Sequence, residues 1–240
     1  MTGTRRQRIT VAAIVATTVI PLGLAPLARP STRSPAPSTG QFNLADVVKR
    51  TFTTPPTLVS PRLSLRAPPV SVPVIVEIPK IHVRSHLLAV GMTRGGAMDA
   101  PEGGANSHYW ADTFWYRGGS VPGAVGTATF AGHIDDAFGR YAVFGHLASL
   151  VRGDRILVHY TKSGITVKFR VTVVHTYTLA QANSRNVLNL IYGLGPPRGL
   201  KAQRSPDGLA HLSLVTCAGS WDTNLATHNE RLVVSAVRVE

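Results

Sequence analysis

Cysteine is almost missing from this 240-residue chain: Cys217 is the only one. No intramolecular disulfide can staple the fold. A lone thiol is either a small buried hydrophobe or, in an exported protein, a pairing or reactive group. Charge is also scarce, at 15% of residues, and acid scarcer still, with 12 Asp and Glu against 25 Lys and Arg. Residues 1–70 carry nine basic side chains against Asp46 alone, and the remainder carries sixteen against eleven. A basic arm ahead of a mildly basic domain suits nucleic acid or anionic lipid and wall polymer. The chain has no zinc-finger spacing, recognition-helix pattern or aromatic-basic RNA motif, so nucleic acid is not an expected partner.

Long apolar runs are absent with one exception, the uncharged stretch Ile9–Ala28. Twenty residues at about 1.5 Å each span the roughly 30 Å hydrocarbon core of a bilayer. Arg5, Arg6 and Arg8 precede the run and place the N-terminus inside, so the rest of the chain is exported. A cleaved signal peptide is the alternative, with Gly23-Leu24-Ala25 as the processing site, but Pro26 obstructs it. The expected layout is a cytoplasmic tail over 1–8 and a single-pass anchor over 9–28. A Pro/Ser/Thr/Arg-rich linker over 29–72 and an extracellular domain over 73–240 follow, the linker being too polar to build a core.

From Val74 onward, short β-branched runs alternate with Gly and Pro turns. Val74–Ile78, Val125–Ala131, Arg155–Tyr160, Ile165–Val174, Leu209–Thr216 and Arg231–Val239 read as strands, with Lys162-Ser163-Gly164 as a hairpin turn. Few helices are legible. The pattern predicts an all-β barrel or sandwich. His133 follows one strand, Cys217 ends another and Arg231 opens the last, so the three can meet at one rim.

Those residue types suit one chemistry. A cysteine attacks as thiolate and needs a neighbour that manages its proton. Histidine titrates near neutral pH, and arginine presents a fixed fork of donors to an oxyanion or substrate. Composition alone does not choose among nine histidines and many arginines.

Local sequence does. Thr127–Asp135, with Gly132-His133 at its end, resembles the histidine strand of the sortases. Leu214-Val215-Thr216-Cys217 resembles their nucleophile strand, and Glu230–Ala236 their arginine-led final strand. Trp115–Gly119 with Pro122-Gly123, and Arg152-Gly153-Asp154, are similar to stretches in the actinobacterial class F and class E branches. Ile78–Ile81 and Met98–Pro101 resemble the opening strand and a loop beside the substrate groove. The likeness covers nearly all of Val74–Glu240. In the class F register Asn229 takes the place of Arg231, whereas the class E pattern keeps Arg231.

The resemblance implies a closed barrel of about eight strands and a monomeric cysteine transpeptidase. In it Cys217 is the nucleophile, His133 the general acid and base, and Arg231 the stabiliser of oxyanion or substrate. Met98, Pro101, Thr216 and Trp221 border the groove. The implied partners are exported proteins bearing an LPxTG-like signal and an amine acceptor such as a peptidoglycan precursor. No cofactor or metal is implied: His82 and His86 lie in a strand-like stretch facing solvent. An L,D-transpeptidase is the nearest rival, but its nucleophile sits in a Ser-x-Gly-Cys-x-Arg context, unlike Leu214–Gly219. A non-catalytic, basic, envelope-binding β-domain with an inert cysteine is the other.

Overall fold

The computed structural model describes residues 54–193 and 204–239; the expected anchor at 9–28 and most of the expected linker lie outside them. Among the described residues are eight strands: β1 Val70–Ile78, β2 Val83–Val90, β3 Thr113–Tyr116, β4 Gly126–Ala131, β5 Arg155–Tyr160, β6 Thr166–Thr178, β7 Ala210–Asp222 and β8 Thr227–Arg238. They close into a barrel in the order β1-β2-β3-β4-β7-β8-β6-β5, with β5 returning to β1 through pairs such as Val76 with Val158. The all-β barrel read from the sequence is therefore the observed fold. Among the described residues, no helix is long and apolar enough to cross a membrane.

Period-two burial builds the interior. Val72, Val74, Val76 and Ile78 of β1, Ile156, Val158 and Tyr160 of β5, and Val167, Phe169 and Val171 of β6 all face one core. β3 and most of β4 break that alternation because both their faces are covered. Two short helices follow β6: α1 Leu179–Ala182 lies against β6 and β8, and α2 Arg185–Tyr192 supplies part of the cover over β4. Their starts are written in the sequence: Thr178 and Gln181 form a reciprocal capping box, and the Ser184 hydroxyl accepts the Val187 N–H. Val187 and Ile191 pack on Val233, and the Thr129 hydroxyl donates to the Ile191 carbonyl at 2.7 Å, which holds α2 against β4.

Two pairings position the site. β4 runs parallel to β7, from Gly126 opposite Ala210 to Ala131 opposite Val215. β7 and β8 form an antiparallel hairpin in which Cys217 stands opposite Arg231. The sequence reading ends one strand at Cys217 and starts the next at Arg231, whereas β7 continues to Asp222 and β8 begins at Thr227. Past Ala218, which still packs against the core, the extra residues are polar or exposed and carry no alternating apolar signal.

The chain also joins the barrel earlier than the expected boundary at 73, which falls inside β1. Leu58 and Val59 pack against the core, and the Met92 N–H donates to the Leu65 carbonyl. Arg117, only 9% exposed, donates to the carbonyls of Ser64, Ala67, Pro68 and Ala89. A chain beginning at Ser71 loses three of these acceptors and leaves a buried cation short of partners. Relative to one beginning at Thr54, it should lose at least about 2 kcal/mol in urea unfolding. Equal midpoints and slopes would contradict the role given to Arg117.

Candidate active site

Parallel pairing of β4 and β7 continues past the last residue of β4. The Gly132 N–H donates to the Val215 carbonyl, and the buried Thr216 hydroxyl donates to the Gly132 carbonyl at 2.8 Å. This clamp carries the next residue, His133, out beside Cys217. Gly132 has no room for a side chain, since a Cβ would press into the Phe144 ring and Val143. The Gly-His dipeptide thus has a packing cause as well as a chemical one.

His133 is half-buried and tightly oriented. Its Nε2 lies 3.0 Å from the Pro101 carbonyl oxygen. A carbonyl only accepts, so Nε2 carries the hydrogen and Nδ1 is the nitrogen left for chemistry. Trp110 packs against the ring at 4.8 Å between centroids, and Phe114 meets it edge-on at 5.4 Å. No hydrogen bond joins His133 to Cys217 among the described residues.

Arg231 is braced within its own hairpin. One terminal nitrogen, Nη1, donates to the carbonyls of His228 and Glu230, at 2.9 and 2.7 Å. Nη2 donates to the Thr227 hydroxyl at 3.0 Å. Those bonds occupy three of the five guanidinium N–H groups and leave Nε–H and one Nη2–H for a substrate oxygen. Asn229 is bonded to the opposite arm of the hairpin. Its exposed side chain accepts the Ser220 N–H and stabilises the bulge between Ala218 and Trp221.

Burial pushes the Cys217 thiol above its ordinary pKa. The Arg231 guanidinium and the Thr227 hydroxyl pull it back, while the carboxylates of Asp135 and Glu102 add to the rise. That balance favours the neutral thiol over the thiolate.

Cys217, His133 and Arg231 all line one groove of about 530 Å³. Leu188, Ile191 and Tyr192 from α2 form one wall, and the loop through Met98, Ala100 and Glu102 lies among the other lining residues. Met98 and Thr216 line this groove, and Pro101 meets His133 through its carbonyl. Trp221 does not line the groove. Gly219 adopts a left-handed φ of 75° in the bulge, and β7 carries Trp221 outward to 57% exposure. Trp110 is half-buried against the histidine ring. Glu102, Thr227 and Phe114 went unrecognised, because each reaches the site through tertiary placement rather than through a local pattern. Among the described residues no cluster of three or more His, Cys, Asp or Glu is placed to hold a metal ion.

A comparison with curated proteins returned no match. Similar solved structures include the lid mutant of sortase A from Corynebacterium diphtheriae, at 19% identity. That alignment covers 73% of this chain and 73% of that one, with a TM-score of 0.48. Sortase C-1 from Actinomyces oris is similar at 18% identity over 70% of this chain and 73% of that one, with a TM-score of 0.45. The Sortase D5 transpeptidase of Clostridium perfringens follows at 16% identity, 70% and 78% coverage, and a TM-score of 0.43. The sortase-domain family model matches residues 76–239, more than half the chain and all of the barrel's site-bearing strands. The chain belongs to the sortase family of cysteine transpeptidases.

Proposed function

We propose that this sortase is a membrane-anchored, extracellular transpeptidase. It cleaves an LPxTG-like signal in exported proteins through Cys217 and transfers them to an amine of the cell envelope. The observation that carries this reading is the register. Cys217 faces Arg231 across β7 and β8, and the extended β4 delivers His133 into the same groove. The anchoring part rests on the Ile9–Ala28 run behind Arg5, Arg6 and Arg8.

The steps follow from the residues. His133 Nδ1 takes the Cys217 thiol proton, the sulfur attacks as thiolate at the carbonyl carbon of the Thr–Gly bond, and negative charge moves onto the carbonyl oxygen. The spare N–H groups of Arg231 meet that charge or hold the adjoining substrate carbonyl. The intermediate collapses as the C–N bond breaks, and His133 Nδ1–H gives its proton to the departing amine. A thioacyl-enzyme remains. An incoming amine then attacks the thioester, His133 takes its proton, and the C–S bond breaks to return the thiolate and a new amide.

Because burial raises the thiol, attack draws on a thiolate population that grows as pH rises toward the thiol's pKa. Alkylation of Cys217 by iodoacetamide should show a pH midpoint above the ordinary thiol value. Arg231→Gln should push it higher still by removing the favourable charge. A midpoint below the ordinary value, or a downward shift in Arg231→Gln, would contradict this electrostatic account.

Turnover of a fluorogenic LPxTG-type peptide tests the roles directly. Arg231→Lys keeps the charge and loses the fork, and it should cost at least about 100-fold in kcat. Asn229→Ala should cost about tenfold or less. Near-parental turnover in Arg231→Lys, with Asn229→Ala the more damaged, would transfer the third role to Asn229.

A further inference from the structure

His228 sits on β8 three residues before Arg231, and its side chain is only 12% exposed. Its ring reaches two other segments. Nδ1 lies 3.1 Å from the Gly219 carbonyl oxygen, two residues past Cys217. Nε2 lies 3.0 Å from Asp135 Oδ2, two residues past His133. The His228 backbone carbonyl accepts from Arg231 Nη1 at 2.9 Å. Trp221 stands edge-on to the ring at 5.5 Å. A single residue therefore touches the segments that follow the nucleophile and the histidine, and it also braces the guanidinium.

The segment it tethers on the histidine side is itself ordered. The Phe144 N–H donates to the His133 carbonyl, the Ala142 N–H donates to the Ile134 carbonyl, and Asp135 pairs with Tyr141. A pull on Asp135 is thus transmitted to the backbone of His133. On the other side, Gly219 occupies the bulge that ends the regular pairing after Ala218, and a Cβ there would strike Asn229 and Glu230. Both groups facing the ring, a carbonyl and a carboxylate, are acceptors. A doubly protonated ring satisfies both, and a neutral ring serves one.

We propose that His228, paired with Asp135, is a positioning residue that holds the His133 segment, the nucleophile strand and Arg231 in one register. It touches no reacting atom and acts through the three groups that do. The proposal rests on the roles given above to Cys217, His133 and Arg231. It explains why Asp135, whose charge disfavours the thiolate, is placed beside the site: its carboxylate is the anchor point for the β7–β8 hairpin.

The test uses His228→Gln, Asp135→Asn and the double variant in the full chain, read by hydrogen exchange, peptide turnover and thermal melting. Each single change should speed amide exchange in both 134–144 and 218–222, although it removes only one partner. It should lower kcat by about tenfold or more while KM stays within about threefold, because a misplacement of about 1 Å at the reacting groups is costly. The double variant should be no worse than the worse single one, since both changes break one link. Asp135→Asn removes a charge without altering size, so it keeps the test open if His228→Gln folds poorly. Exchange that speeds only in the mutated segment overturns the proposal, as do losses that multiply in the double variant or a kcat within about twofold of the parent. If the parent itself does not turn over the peptide, the functional reading fails. The exchange data then still decide the tether, linked acceleration supporting it and separate acceleration overturning it.

Discussion

Parallel pairing between β4 and β7, prolonged by the Gly132 and Thr216 clamp, is the constraint on which the rest of the site depends. Parallel strands bring equivalent ends together, so the residues that follow β4 and the last core residues of β7 emerge on one rim. Only this arrangement brings His133 beside Cys217 across 84 positions of sequence. The antiparallel hairpin then supplies Arg231 by direct opposition. Without the clamp, His133 would be the first residue of a free loop. With it, the imidazole stands between aromatic rings with Nε2 tied to the Pro101 carbonyl.

Electrostatics and burial divide the work in that rim. The barrel wall and α2 desolvate Cys217 and raise its pKa, which favours the neutral thiol. Arg231 opposes that rise, and it is itself held by carbonyls and a hydroxyl rather than by a carboxylate. Among the described residues no carboxylate lies within ion-pair distance of its guanidinium, although Glu102 lines the same groove. Glu102 and Asp135 work the other way on the thiol. Asp135 is hydrogen-bonded to His228, which ties one of those carboxylates to the β7–β8 hairpin.

Much of this was legible in the sequence, and the remainder has identifiable physical causes. Alternation in Arg155–Tyr160 and Ile165–Val174 marks β5 and β6 because one face of each meets the core. The ordered motifs around His133, Cys217 and Arg231 identified the three residues that share the groove. β3, buried on both faces and four residues long, carries no alternation to read. The exposed arm of the β7–β8 hairpin carries none either, which hid the continuation of both strands and misdirected Trp221. The helices announce themselves by capping residues at Thr178, Gln181 and Ser184, a signal outweighed by their shortness. Packing of residues 58–68 is invisible locally, since Arg117 lies about fifty positions away. The contact between Asp135 and His228, 93 positions apart, has no local trace at all.

The account comes down to a covalent bond at one sulfur. Incubating the full chain with an LPxTG-type peptide in the absence of an amine acceptor, quenching in acid and measuring intact mass tests it most directly. The expected result is an adduct equal to the peptide acyl portion up to Thr, localised to Cys217 by digestion. It should be absent in Cys217→Ala and discharged by an added amine with formation of the matching amide. Peptide cleavage that leaves no adduct in the parent and persists in Cys217→Ala would contradict the account.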